Sequence, residues 1–229
     1  MMISSSALKN AEDILKKSQI SSWRLDAEIL LAEALRKDRS EIIVRNDIKI
    51  SNKKAFTFNR YIDRRKKFEP VAYILNNKEF FSLDFFVNKN SLIPRPETEL
   101  MVEKAVKIYK NKAPNILDIG TGSGCIIISV LRHLPKSRGI GLDISKNAIK
   151  VAKFNSRRLL KVYNKKLKLI NLSIEKLSNN RIFDLILANP PYINSKDIRN
   201  LSTDIKRYEP KIALDGGKDG LDVIKKVIY

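Results

Sequence analysis

The chain has 229 residues, 43% of them apolar, and a formal net charge of +20; this is material for one large domain or two small ones and excludes a disordered tail. The longest apolar runs, such as CIIISVL at 125–131, fall far short of the ~18–20 residues a membrane span needs, so no membrane partner is expected. The opening MMISSSALKNAEDILKK lacks a basic-then-apolar signal pattern, and a single cysteine, Cys125, excludes an internal disulfide framework and suits a reducing cytoplasm. One histidine, His133, leaves no His/Cys cluster, so no metal is expected.

The charge implies either a polyanionic partner, RNA or DNA among them, or a lysine-rich composition and nothing more. It concentrates in RYIDRRKK at 60–67 and in the nine basic residues, without an acid, between Lys146 and Lys168. Lys146, Lys150, Lys153, Arg157 and Lys161 recur at three- and four-residue steps and share one helix face, a pattern most often simply solvated. Nucleic acid is therefore admitted as a partner without being required, and the oligomeric state is left open.

In chain order, apolar periodicity predicts helices over 5–19, 22–36 (Ser22 as N-cap) and 52–68, the last ended by Pro70. Together they form a helical module at 1–70. Aromatic and β-branched residues at 71–93 surround Asn76-Asn77, which predicts a β-hairpin turning there and a linker over 71–94. Pro94 and Pro96 fix an extended stretch, followed by a helix with Glu97 and Glu99 in its first turn and an end near Lys112. From Pro114 the apolar segments NILDIG, GIGLDI, LKLINL and FDLILA alternate with helical ones. That order predicts a doubly wound parallel sheet, so the third region, 95–229, is α/β of the Rossmann-like kind.

LDIGTGSGCIII at 117–128 follows a strand and opens a helix. Gly120, Gly122 and Gly124, with Thr121 and Ser123 between them, form a loop whose backbone a ligand can approach closely. Asp143 ends the second strand, nineteen residues beyond Gly124, where an acid accepts ribose hydroxyls or merely caps the next helix. Loop and acid together point to a nucleoside cofactor.

Asn189-Pro190-Pro191-Tyr192 then ends the fourth strand, because neither proline can donate to a ladder. The Asn189 side-chain oxygen and the Pro190 carbonyl are two acceptors that could hold both hydrogens of a planar amide or exocyclic amine. Held so, the nitrogen moves toward tetrahedral geometry and its lone pair aims at a methyl donor, while Tyr192 covers one face of the planar group. No general base is needed before transfer. Cys125 reads as a small core residue and His133 as a helix residue without a partner.

LDIGTGSG, Asp143 and NPPY together resemble the class I S-adenosylmethionine-dependent methyltransferases that act on planar nitrogen. EPVAYILNNKEFFSLDFFVNKNSLIPRPETE at 69–99 and RYEPKIAL at 207–214 are similar, more narrowly, to the family that methylates the glutamine side-chain amide of peptide chain release factors. That resemblance implies a cofactor, S-adenosylmethionine, held by Gly120 through Gly124, Asp143, Ile174 and Asn189. It implies that Asn189, Pro190, Pro191 and Tyr192, with Arg95, Pro96 and Glu97, bind the glutamine of a Gly-Gly-Gln motif, and that Glu209 supports the site. It implies a helical module that grips the release factor. Where the family carries an acid after the third strand, this chain has Ser173-Ile174. The family's sheet also continues through three strands beyond LDVIKKVIY, which implies a truncated chain, or one completed by another polypeptide, with an uncovered fourth strand. The rivals are an adenine methyltransferase of DNA or RNA, favoured by the charge and NPPY, and a non-catalytic relic that binds a partner through its helical module.

Overall fold

The computed structural model describes residues 2–45, 47–177 and 182–228; Met1, Asn46, 178–181 and Tyr229 lie outside the described residues. The chain divides into two compact units, Met1–Leu75 and Asn76–Tyr229.

The first unit holds β1 (Met2–Ile3), α1 (Ser4–Lys17), α2 (Trp23–Leu35), α3 (Arg39–Val44), β2 (Lys49–Ile50), α4 (Asn52–Arg65) and α5 (Val71–Leu75). Ala7, Ala11 and Leu15 of α1, Leu30 and Leu31 of α2 and Phe58 and Ile62 of α4 form one buried cluster. The three long helices were legible from their 3.6-residue periodicity; the antiparallel pairing of β1 with β2 was not. Ser22 stands at the N-cap of α2 as expected, but its side chain makes no capping hydrogen bond. Its hydroxyl donates to Asp26 Oδ2 at 2.7 Å, and Asp26 in turn pairs with the buried Arg65 at 2.6 Å, so the serine serves a buried ion pair instead.

The expected hairpin needs correcting. Pro70 opens α5 rather than only ending α4, its carbonyl accepting from Tyr73 and Ile74 N–H. Asn76, with φ +54, occupies the left-handed conformation that ends a helix. The strands are β3 (Asn77–Phe80) and β4 (Leu83–Phe86), and they turn at Phe81-Ser82, both at positive φ. Glu99 fixes this turn by accepting the Phe81 N–H at 3.0 Å. The stretch read as one linker is thus divided: 71–75 belong with the helices and the hairpin with the second unit.

After the hairpin come α6 (Glu99–Ile108), β5 (Asn115–Ile119), α7 (Cys125–His133), β6 (Arg138–Asp143), α8 (Lys146–Leu160), β7 (Leu167–Asn171), β8 (Leu185–Ala188), α9 (Thr203–Tyr208) and α10 (Asp222–Ile228). β5 through β8 form a parallel sheet in the order β7-β6-β5-β8, with α7 and α8 as crossovers. This is the doubly wound arrangement the alternation predicted. β8 pairs with β5 alone among the described residues, and Ile186 on it is 53% exposed. On α8, the buried Asn155 accepts from Phe86 N–H at 2.8 Å and donates to the carbonyls of Phe86 and Ser123, both at 2.9 Å. One amide thereby ties the hairpin to the glycine loop. Lys146, Lys150, Lys153 and Arg157 do share an exposed face of α8, with Lys161 just past its end.

Candidate active site

Two cavities open at the carboxyl ends of the parallel strands, the place where such sheets bind ligands. The larger, about 830 Å³, is lined by Gly120, Gly122, Asp143, Ile174, Asn189, Pro190 and Pro191 among the expected residues. The smaller, about 420 Å³, is lined by Arg95, Glu97, Asn189, Pro190 and Tyr192. Asn189 and Pro190 therefore belong to both walls and form part of the partition between the two spaces.

The larger cavity has the chemistry of a nucleoside site. A Cβ at Gly120 would meet nothing within 4 Å, so the loop leaves open space beside its backbone at the cavity wall. Leu142, Ile144, Leu172 and Ile174 supply apolar surface suited to a base. Asp143 stands at the end of β6 but does not cap α8. Ser145 does that, accepting from Ala148 N–H at 3.2 Å, while Asp143 accepts from Gly122 N–H at 2.9 Å and Ser145 N–H at 2.8 Å. Burial pushes its carboxyl above the usual range against those two hydrogen bonds.

Thr121, Ser123, Gly124 and Pro96 line neither cavity, contrary to expectation. Thr121 and Ser123 are buried, and the Thr121 hydroxyl donates to Asp118 Oδ2 at 2.6 Å beneath the loop. Gly124 precedes α7 at φ +82, where a Cβ would lie 2.7 Å from Ile128 Cδ1. Pro96 is the first residue of a short 3₁₀ turn, Pro96–Thr98, that leads into α6.

Sequence reasoning missed several contributors. Thr98 Oγ1 accepts from the Asn189 side-chain nitrogen at 3.4 Å, which leaves Asn189 Oδ1 as the acceptor open to a ligand. Asp118 is fully buried, with Oδ1 unpartnered among the described residues, and burial together with the neighbouring Asp143 charge pushes its carboxyl up to about 7. Glu175 lines the larger cavity just past Ile174, and Lys226 of α10 sits 3.0 Å from it. That pairing, with the Ser173 hydroxyl, holds the Glu175 carboxyl below its usual range. The segment after RYEPKIAL braces the NPPY loop: Ile193 N–H donates to Leu214 O at 3.1 Å and Gly216 N–H to Ile193 O at 2.8 Å.

Glu209, which the resemblance implied as a support of the site, lines neither cavity but is buried against Arg95, which lines the smaller one. Its side chain is 1% exposed; it accepts from Arg95 Nη2 at 2.6 Å and from Ile93 N–H at 3.2 Å. Burial raises its carboxyl above the ordinary value and the Arg95 charge works against that. Burial pushes the Cys125 thiol up to about 12, away from the low values of activated thiols. His133 does have partners: it donates from Nδ1 to Ser129 O at 2.9 Å and stands edge-on to Phe81, ring centroids 5.0 Å apart.

Sheet order, glycine loop, acid-ended second strand and NPPY partition define a methyltransferase of the class I type, with S-adenosylmethionine as cofactor. Residues 6–75 match the PrmC N-terminal domain family and 110–212 a methyltransferase domain family. The chain is 37% identical over 222 residues to a release factor glutamine methyltransferase of Clostridium acetobutylicum, covering 96% of this chain and 78% of that one. It is 36% identical over 218 residues to that of Caulobacter vibrioides, covering 95% and 75%. The chain belongs to the family of release factor glutamine methyltransferases. Among solved structures, the hMettl16 catalytic domain in complex with MAT2A 3′UTR hairpin 6 shares the fold, with TM-score 0.53 and 17% identity over 71% of this chain and 63% of that one.

Proposed function

We propose that this chain places one methyl group on the side-chain amide nitrogen of the glutamine in the Gly-Gly-Gln motif of peptide chain release factors. The observation that carries the mechanism is the shared partition: Asn189 and Pro190 line both the cofactor-sized cavity and the smaller one beside Arg95, Glu97 and Tyr192. A group seated in the smaller cavity against that wall faces the larger one.

S-adenosylmethionine supplies an electrophilic methyl group on a sulfonium sulfur. Gly120 and Gly122 would give backbone room for its methionine end, Asp143 would accept from its ribose hydroxyls, and Ile174 would flank its base. Asn189 Oδ1 and the Pro190 carbonyl accept the two amide hydrogens of the substrate glutamine. Those hydrogen bonds strengthen as positive charge develops on nitrogen, so they favour the transition state over the ground state. Pro191 and Tyr192 cover the planar amide, and Arg95, Pro96 and Glu97 border the path of the Gly-Gly-Gln loop. Asn189 and Pro190 orient the amide nitrogen to which the bound cofactor would supply its methyl group, leaving as the thioether, and the extra amide proton would pass to solvent.

The helical unit, residues 1–70 in the sequence reading, is assigned recognition of the release factor away from the reacting amide, so that remote binding is spent on orientation. No helix among the described residues is long and apolar enough to cross a membrane. The cytoplasm, where translation terminates, is the compartment this reading assigns.

The test is transfer of labelled methyl from S-adenosylmethionine to a purified release factor. Label on the wild-type factor and none on a Gln→Ala Gly-Gly-Gln variant is the expected result. Label on an adenine-bearing oligonucleotide but not on the factor would overturn it.

A further inference from the structure

A third cavity, about 610 Å³, lies away from the site just described, and neither the cofactor nor a Gly-Gly-Gln loop accounts for it. It sits at the opposite end of the sheet. Its walls come from the last turns of α6 and the segment leading into β5, and from the end of α7 and the segment leading into β6. Lys107, Lys110, Lys112 and Lys136 line it, and Glu103 is its single acid. Among the described residues none of these four ammonium groups has a carboxylate within ion-pair distance. Lys112 instead lies 5.7 Å from the centre of the Tyr109 ring.

Four unpaired cations around one concave space create a field that attracts an anion. The cavity also has an aromatic element: Phe81 and His133 stand edge to face on its wall, beside Leu134 and Pro135. Cationic rim and aromatic seat in one groove match a single nucleic-acid strand, whose phosphates need the first and whose bases need the second. An acidic polypeptide would use the lysines and leave the rings idle. The basic face of α8 lacks this combination. Lys146, Lys150, Lys153 and Arg157 lie along an exposed helix face, and none of them lines any of these three cavities.

We propose that the groove bounded by Lys107, Lys110, Lys112, Lys136, Phe81 and His133 binds single-stranded nucleic acid, at a site separate from methyl transfer. The strand's phosphates lie along the lysines, and one base packs against the Phe81–His133 pair.

The test uses the full 229-residue chain and a fluorescein-labelled 12-nucleotide uridine RNA, read by anisotropy across a salt series. K107E/K110E/K112E/K136E should weaken binding at least tenfold and lower the salt slope by about 2 to 3, since each phosphate contact on a single strand contributes about 0.7. K146E/K150E/K153E/R157E removes the same charge from α8 and should change affinity less than threefold. An abasic 12-mer should bind several-fold more weakly than the uridine strand, which reads the aromatic seat. Methyl transfer to a release factor should persist in both charge variants, a sign that each is folded. If the four-site groove variant does not fold, K110E/K136E should give the same ordering at smaller amplitude. Absence of binding by the wild-type chain, equal loss in the two charge variants, or displacement of the RNA by polyglutamate at equal charge concentration would each overturn the proposal.

Discussion

Thr98 and Asn189, ninety-one residues apart, meet at the partition between the two cavities, the threonine hydroxyl accepting from the asparagine amide at 3.4 Å. Asn189 therefore commits its nitrogen to the protein and leaves its oxygen as the acceptor that the proposed reading assigns to the substrate amide. Asn189→Ala removes that acceptor and should lower kcat by about 10²–10³, the range for losing one pre-aimed hydrogen-bonding group. Thr98→Val keeps the shape and removes only the hydrogen bond that orients the amide. It should lower kcat by roughly tenfold and leave S-adenosylmethionine affinity unchanged by calorimetry. An unaltered kcat in Thr98→Val would show that Asn189 is oriented by something else.

Arg95 reaches the buried Glu209 at 2.6 Å, and Glu209 also takes the Ile93 N–H, so one carboxylate anchors the stretch that runs into PRPETE. Glu209→Gln retains an acceptor for Ile93 but removes the charge opposite Arg95. It should cost about 1.5–3 kcal/mol of stability, the range for a hydrogen bond to a charged group. The kinetic effect should fall on the release factor's KM, with cofactor affinity held within about twofold. A variant that loses cofactor binding instead would move Glu209 from the substrate side of the site to the cofactor side.

The doubly wound sheet was legible because buried parallel strands read as short apolar runs and their crossovers as amphipathic helices. The glycine loop and NPPY were legible because glycine and proline restrict backbone chemistry locally. The hairpin turn was not. Asn76-Asn77 has turn chemistry, but Asn76 spends its positive φ on ending α5, and the chain reverses at Phe81-Ser82. Phenylalanine is a poor residue for that conformation, and what holds it there is Glu99, eighteen residues away. Thr98, Asn155 and the brace at 214–217 escaped notice for the same reason: each acts through a partner fixed only by the tertiary fold.

Asp118 gives the chain a pH-dependent stability. Its carboxyl is raised from 3.8 to about 7 by burial. Between those values the folded chain holds a proton that the unfolded chain has released, so stability falls as pH rises. The loss begins near the unfolded value and is complete once pH has passed the folded one. At about 1.4 kcal/mol per pH unit, the penalty across this window is several kcal/mol. Asp118→Asn keeps an acceptor for the Thr121 hydroxyl and cannot ionise. The melting temperature of the wild-type chain relative to Asp118→Asn should therefore fall between pH 5 and pH 8. A constant difference across that range would mean that Asp118 does not titrate there.

Gly216 offers a test of the brace behind NPPY in which space, rather than backbone angle, decides the outcome. A Cβ there would lie 2.6 Å from Gly220 O, 2.8 Å from Pro191 O and 2.8 Å from Tyr192 Cα. All three are backbone atoms, so no side chain can rotate away to relieve the contact. Either the 214–217 segment or the loop carrying Asn189 to Tyr192 must move, and the two are coupled by the Ile193–Leu214 and Gly216–Ile193 hydrogen bonds. Gly216→Ala should cost about 1–3 kcal/mol in overpacking strain. Its larger effect should be on kcat, because displacing acceptors by a few tenths of an ångström spoils their aim at the amide while the glycine loop and Asp143 stay in place. The expected result is a cofactor affinity close to wild type with transfer reduced by more than tenfold. Parallel loss of both would mean that the brace holds the cofactor cavity together, and wild-type transfer would mean that the NPPY loop does not depend on it.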